Sequence, residues 1–233
     1  MRKKTAIYGS ARKIIYSEKR WKILEKKRER AVEVMEKLYE RGLRSIVYGS
    51  VARGDVTNES DVDVFIPLRT PSYLIEIALS PFQILERRIV QATPNYAIKG
   101  EYILDNNTSV SFPLINLKDR EMDFYNFGGA ISLDDLRKNL RTPGVDKRLK
   151  LIKPSLEGHF EIPINDLDEI ELSRVLNVSL EIIRERKRVL ERRREIGRTG
   201  VFLNAIVPED ESFESFLEKI ARKNPMVRRR LRE

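Results

Sequence analysis

The chain has no cysteine, which excludes disulfide scaffolds, thiolate zinc sites and a cysteine nucleophile. Its one histidine, His159, excludes His-pair metal sites and HExxH-type catalysis. No apolar run approaches the roughly 18 residues of a membrane span. The first residues, Met1-Arg-Lys-Lys-Thr-Ala-Ile-Tyr-Gly, lack the apolar run of a signal peptide. Aromatic residues make up 8% and are scattered, so no tandem platform for stacked bases is visible. The expectation from these absences is a soluble, cytoplasmic protein with no membrane contact.

What is abundant is charge. Among 233 residues, 35% are charged and the formal net charge is +9. Soluble domains average about 25% charged. Heavy use of Arg, Lys and Glu without cysteine also fits a high-temperature organism. Residues 1–30 hold twelve Lys or Arg and three Glu, so they carry the whole excess. Two further basic clusters stand at 184–198, with eight Arg or Lys and three Glu, and at 222–232, with six and no acid. Such clusters can track a phosphate backbone, or form a solvated helix face with i,i+4 ion pairs.

Hydrophobic residues are 41% of the chain, enough for a full core. Residues 17–41 read as a helix: Ser17 can cap it, and Trp21, Leu24, Ala31, Val34, Met35 and Leu38 recur at helical spacing. Residues 45–48 and 62–68 read as strands, and 72–79 as a short helix. From 87 to 127 the pattern is β, with strands at 88–93, 96–104, 109–115 and 120–127. Ser132 followed by Asp135 opens a helix over 132–140. Thr142-Pro-Gly144 marks a boundary between domains 1–141 and 142–233. Beyond it, 169–176 and 179–194 have the shape of a helix-turn-helix within 166–196, a shape that plain helical hairpins share. A last amphipathic helix covers 213–223.

The sharpest feature is Ile46-Val-Tyr-Gly-Ser-Val-Ala-Arg-Gly-Asp-Val-Thr-Asn-Glu-Ser-Asp-Val-Asp-Val-Phe-Ile66. A strand ends at Gly49-Ser50 and a helix begins, where a glycine lets backbone approach a phosphate and free N–H groups favour anions. Ten residues later Asp61 and Asp63 stand two apart on a strand, so both carboxylates point the same way. Their repulsion calls for a hard divalent cation such as Mg²⁺. A phosphate cradle beside a metal site describes nucleoside triphosphate chemistry.

The segment resembles the core signature of the DNA polymerase β-like nucleotidyltransferase superfamily: Gly-Ser, a spacer of about ten, then Asp-x-Asp after a Ser. Minimal nucleotidyltransferases and archaeal CCA-adding enzymes carry similar forms, including the Ala-Arg-Gly that follows here. The resemblance implies an α+β fold, a mixed sheet with flanking helices, to which the sequence adds a smaller, mostly helical C-terminal domain. It implies transfer of an NMP from an NTP such as ATP to a hydroxyl, with release of pyrophosphate. Gly49, Ser50 and Arg53 would face the triphosphate. Asp61 and Asp63 would hold two Mg²⁺, or Mn²⁺ in their place. The third carboxylate that the family usually has on a later strand is expected at Asp123, mid-strand in 120–127, with Glu121 as runner-up. Lys147, Arg148 and Lys150 follow closely, and Lys147 is a further phosphate candidate.

The nearly identical Ile7-Tyr-Gly-Ser-Ala-Arg12 lacks the carboxylate pair and reads as a basic arm. The basic clusters favour an RNA acceptor, such as a tRNA end. A protein hydroxyl, as in antitoxin-type AMP transfer, is one alternative. A non-catalytic nucleotide sensor that reads DNA through the helix-turn-helix is the other. His159 is expected to be a hydrogen-bonded structural residue.

Overall fold

A computed structural model describes residues 11–197 and 200–233. Residues 7–10, most of the first Gly-Ser copy, lie outside them. The chain runs β1 (Arg12–Ile15), α1 (Glu18–Tyr39), β2 (Ile46–Tyr48), α2 (Ser50–Arg53), β3 (Val62–Phe65), α3 (Ser72–Leu79), β4 (Ile84–Gln91), β5 (Ile98–Leu104) and β6 (Thr108–Pro113). It continues through α4 (Asp119–Gly128), β7 (Ala130–Ser132), α5 (Leu133–Arg137), β8 (Gly144–Val145), β9 (Lys150–Ser155) and β10 (Gly158–Pro163). It ends with α6 (Glu169–Leu176), α7 (Leu180–Ile196), β11 (Leu203–Ile206), α8 (Phe213–Lys223) and α9 (Pro225–Arg232). No helix among the described residues is long and apolar enough to cross a membrane.

The main sheet is mixed, in the order β11-β4-β5-β6-β3-β2-β7, with β3 and β6 parallel. Period-two alternation gives its two faces opposite characters. Val62 and Val64 of β3, Val110 and Phe112 of β6, and Tyr102 and Leu104 of β5 join the main core. Helix α1 packs there through Leu24, Ala31, Val34, Met35 and Leu38, its first turn capped by the Ser17 hydroxyl as expected. Phe213 of α8 meets Tyr102 and Phe112 edge-on, with centroids 5.0 and 5.1 Å away. Gly100 leaves room for this: a Cβ there would lie 2.4 Å from the Phe112 ring. The opposite face carries Asp63, Ser109, Ser111, Lys99 and Glu101, as the strand registers require.

A second sheet, β1-β10-β9-β8, and the α6–α7 pair share a smaller core of Val145, Leu149, Leu151, Ile164, Leu172, Leu176, Ile182, Ile183 and Leu190. The helix pair has the expected shape, with Asn177 left-handed at φ 51° between the helices and Ser179 capping the second.

Two expectations are corrected. The sequence division at 142 does not follow the packing. β1, from the N-terminal part, pairs with β10, while β11 pairs with β4 and Phe213, Leu217 and Val227 return to the main core. Residues 142–233 carry the expected helices α6 to α9 and also contribute β8 to β11. Residues 120–127 form helix α4 rather than a strand. Glu121 and Tyr125, four apart, share one helical face, and both are buried. The Glu121 carboxylate also accepts the Lys118 backbone N–H at the helix start, at 2.7 Å.

Candidate active site

The site is built where β2 and β3 lie side by side. Their antiparallel register pairs Tyr48 with Asp63 and Ile46 with Phe65, which brings Gly49 and Ser50 to the Asp61 end of β3. Gly49 turns the chain at φ 77° and ψ −141°, a conformation that favours glycine. Space is open around it: a Cβ there would meet no atom within 4 Å. Asp61 is exposed just before β3, and Asp63 is partly buried. The Ser109 hydroxyl, opposite on β6, donates to Asp63 Oδ1 at 2.9 Å. Burial pushes the Asp63 carboxyl above the usual carboxylate range and the Asp61 charge adds to this, while Ser109, Lys147 and Lys99 pull the other way.

The floor extends onto β5. Glu101 is also held above its ordinary value by burial, offset by Lys99 and Arg88 and reinforced by Asp63. Lys99 is pushed down by burial and held up by Glu101, Asp63 and Glu121. Its ammonium donates to the Tyr125 hydroxyl at 3.4 Å. Tyr125, from α4, stacks on Phe65 with centroids 3.8 Å apart and walls the site on that side. Lys147, exposed in the turn between β8 and β9, lies within electrostatic reach of Asp63.

Residues 28–118 match the model of the nucleotidyltransferase domain family. The chain carries a nucleotidyltransferase domain. The match is consistent with the polymerase β-like superfamily and supports general NMP transfer with an NTP as substrate. No curated protein and no solved structure matches the chain. The matched segment runs from α1 to the residue before α4, so it spans Gly49, Ser50, Asp61, Asp63, Lys99, Glu101 and Ser109.

The site thus gathers Gly49, Ser50, Asp61 and Asp63 from the nucleotidyltransferase domain, with Lys147 from beyond it within electrostatic reach, but two expected residues have other occupations. Arg53 is 6% exposed, and its guanidinium grips Asp55 with two bonds of 2.9 and 3.0 Å. Its third contact is the Gly128 carbonyl at 2.6 Å. It braces the loop after α2 against the end of α4 instead of facing a triphosphate. Asp123 sits on a helix two residues before Tyr125, and a helix turns about 200° over two residues. With Tyr125 facing Phe65, Asp123 faces α7, where it accepts the Ser179 N–H at 3.0 Å and the Ser179 hydroxyl at 2.6 Å. The runner-up Glu121 is bound to Arg230 at 3.2 Å, both residues 3% exposed. Arg148 and Lys150 are held by Asp146 and Glu161.

Among the described residues, no three carboxylate or imidazole groups gather as a metal site. Asp61 and Asp63 remain as the hard oxygen donors that could hold a divalent cation. The sequence reading missed Lys99 and Glu101. Their signal is present in Ile98-Lys-Gly-Glu-Tyr-Ile-Leu104, where two opposite charges stand two apart in a strand whose alternate residues are buried. His159 plays the structural part expected: 1% exposed, its Nδ1 lies 2.6 Å from the Tyr16 hydroxyl, which donates to the Gly54 carbonyl at 2.8 Å.

Proposed function

We propose that the protein transfers an NMP from an NTP to a hydroxyl of RNA, with Mg²⁺ or Mn²⁺ held by Asp61 and Asp63. The observation that carries this reading is the strand register that sets the Asp61-x-Asp63 carboxylates beside Gly49-Ser50 within the matched domain. The bound cation would screen the phosphate charges and stabilise the pyrophosphate leaving group. The Gly49 N–H is taken by the Gly129 carbonyl at 2.8 Å, so Gly49 shapes the turn and leaves space for the phosphates, and Ser50 offers them its backbone N–H and hydroxyl. Lys147, exposed and in no ion pair with a carboxylate among the described residues, supplies a positive charge within electrostatic reach of Asp63.

The RNA acceptor rests on α7. Arg188 and Arg192 are exposed one turn apart and pair with no carboxylate among the described residues. The Asp123–Ser179 bonds fasten this helix to α4, whose other side walls the site through Tyr125. An RNA strand lying along α7 would therefore lead to the catalytic floor.

The test is label transfer. Purified protein is incubated with Mg²⁺, each α-³²P NTP in turn, and total RNA or total protein from its own source. A labelled RNA band that disappears in Asp61→Ala supports the reading, and a labelled protein band moves the acceptor to protein. One observation favours a second reading. The strand beside β3 presents Ser109 and Ser111 to the site and no carboxylate, which suits nucleotide binding without transfer. Tight NTP binding with no label in any acceptor would select it.

A further inference from the structure

The family resemblance leads to an expectation of two ions on three carboxylates, and the donor set here does not fit it. Asp61 and Asp63 stand together at the start of β3. Paired catalytic ions sit about 3.5–4 Å apart and need a carboxylate to bridge or flank them. On β6, the neighbour of β3, the residues facing the site are Ser109 and Ser111. Ser109 already spends its proton on Asp63, and a neutral hydroxyl cannot replace an anionic ligand for a second hard cation. The next carboxylate on the floor, Glu101, is two strands from Asp63, about 10 Å between backbones. Asp123 and Glu121, the remaining candidates, are bound to Ser179 and Arg230.

The same floor also carries a cation of the protein's own. The Lys99 ammonium is held by the Tyr125 hydroxyl and lies 5.7 Å from the centre of the Tyr125 ring. Three carboxylates, Asp63, Glu101 and Glu121, act on it electrostatically. Asp61, Asp63 and Glu101 bring three negative charges to the floor, and Lys99 and Lys147 bring two positive ones. A single dication on the Asp61–Asp63 pair already turns this balance positive. A second would find no uncompensated carboxylate and would face a fixed ammonium.

We propose that the site holds one divalent cation, on Asp61 and Asp63, and that the Lys99 ammonium stands in for the second ion. The inference rests on the nucleotidyltransferase reading of the site but not on the identity of the acceptor. It predicts that the arrangement of charge, rather than the number of metals, sets how the triphosphate is neutralised.

The experiment is a Mn²⁺ titration of the full chain followed by electron paramagnetic resonance of the free ion. It is made with Mn²⁺ alone and again with a saturating non-hydrolysable NTP analogue. The expected count is one bound Mn²⁺ per chain in both, with at least a tenfold loss of affinity in Asp63→Asn. Lys99→Met, which removes the fixed ammonium without adding an oxygen donor, is expected to keep the count at one and to weaken binding of the analogue at least tenfold. Lys99→Arg, which keeps the charge, is expected to stay at one. Two ions of comparable affinity in the wild-type chain overturn the proposal, as does a Lys99→Met protein of unchanged melting temperature that binds the analogue as tightly as wild type. Should Lys99→Met not fold, the wild-type and Lys99→Arg counts decide. Failure of label transfer with a count of one would reject the transfer reading and leave this inference standing.

Discussion

The Asp123 carboxylate accepts both the backbone N–H and the hydroxyl of Ser179, at 3.0 and 2.6 Å, and thereby joins α4 to the first turn of α7. The Ser179 hydroxyl in turn caps α7 at the Ile182 N–H. Asp123 is thus part of a two-residue cap that holds the smaller core against the wall of the site.

This gives Asp123→Ala a different signature from a catalytic loss. Removing a charge-assisted bond pair at a partly exposed helix start costs about 1–2 kcal/mol. The expected result is a lower melting temperature with NMP transfer retained by the folded protein. Thermal denaturation and label transfer on the same sample check it. Complete loss of transfer at unchanged stability would return Asp123 to the reacting centre.

Asp63 shows the reverse pattern. Burial is the largest influence on it and raises its carboxyl above the ordinary value. An acid whose folded pKa exceeds its unfolded one contributes stability only below the unfolded pKa, and that contribution is lost as pH rises through the folded pKa. At neutral pH the ionised Asp63 therefore costs stability. Asp63→Asn is expected to melt higher than wild type near pH 7, with the advantage fading below about pH 4, the ordinary carboxylate range. The same variant should lose transfer to background and lose the stabilisation that Mn²⁺ gives the wild-type chain. Melting curves at three pH values, with and without Mn²⁺, measure the stability effects, and label transfer measures the loss of activity.

Glu161 lies at the centre of the second sheet's ionic network. Lys150 Nζ approaches it at 2.9 Å with both side chains 5% exposed, Arg148 Nη2 at 2.6 Å, and Arg12 Nε at 2.8 Å from β1. Burial alone would raise its carboxyl, but hydrogen bonds from Lys150, Arg148 and Arg12 outweigh burial and drive it well below the carboxylate range. The stability this gives is present above the unfolded pKa and is lost as pH falls through the depressed folded pKa. Glu161→Gln leaves the Lys150 ammonium buried without its counter-charge, a defect of about 3–5 kcal/mol. Urea denaturation at neutral pH should show that loss. The gap between the two proteins should narrow in strong acid.

How much of this could be read from residues alone depended on the range of the contacts involved. Helix α1 was legible because its Ser17 cap and apolar period are local. The Asp61-x-Asp63 face was legible because alternation along one strand needs no partner. Helix α4 was not. Over eight residues Glu121, Asp123 and Tyr125 alternate as well as they wind, and what decides is Arg230, 109 residues on, and Phe65 under Tyr125. Lys99 and Glu101 were missed because their meeting with Asp63 depends on the registers of β5 with β6 and of β6 with β3. The return of α8 and α9 to the first core likewise follows from the β11–β4 pairing, which no local pattern announces. Arg53 has its partner Asp55 only two residues away, but the bond to the Gly128 carbonyl that fixes its direction comes from 75 residues on.

The last prediction concerns the acceptor. Arg188 and Arg192 are exposed on α7 one turn apart, and neither pairs with a carboxylate among the described residues. Arg184 lies a turn before them but is held by Glu169 at 2.9 Å. If single-stranded RNA follows this stripe, each lost phosphate contact lowers the slope of log affinity against log salt by about 0.7. Arg188→Glu with Arg192→Glu is therefore expected to weaken RNA binding severalfold or more at low salt and to reduce that slope by roughly 1.4. The nucleotide site lies across α4 from these residues, so affinity for an NTP analogue should stay unchanged. Fluorescence anisotropy of a labelled oligonucleotide over a salt series measures the slope. An unchanged slope would move the RNA path away from α7, to the basic segments at the two ends of the chain.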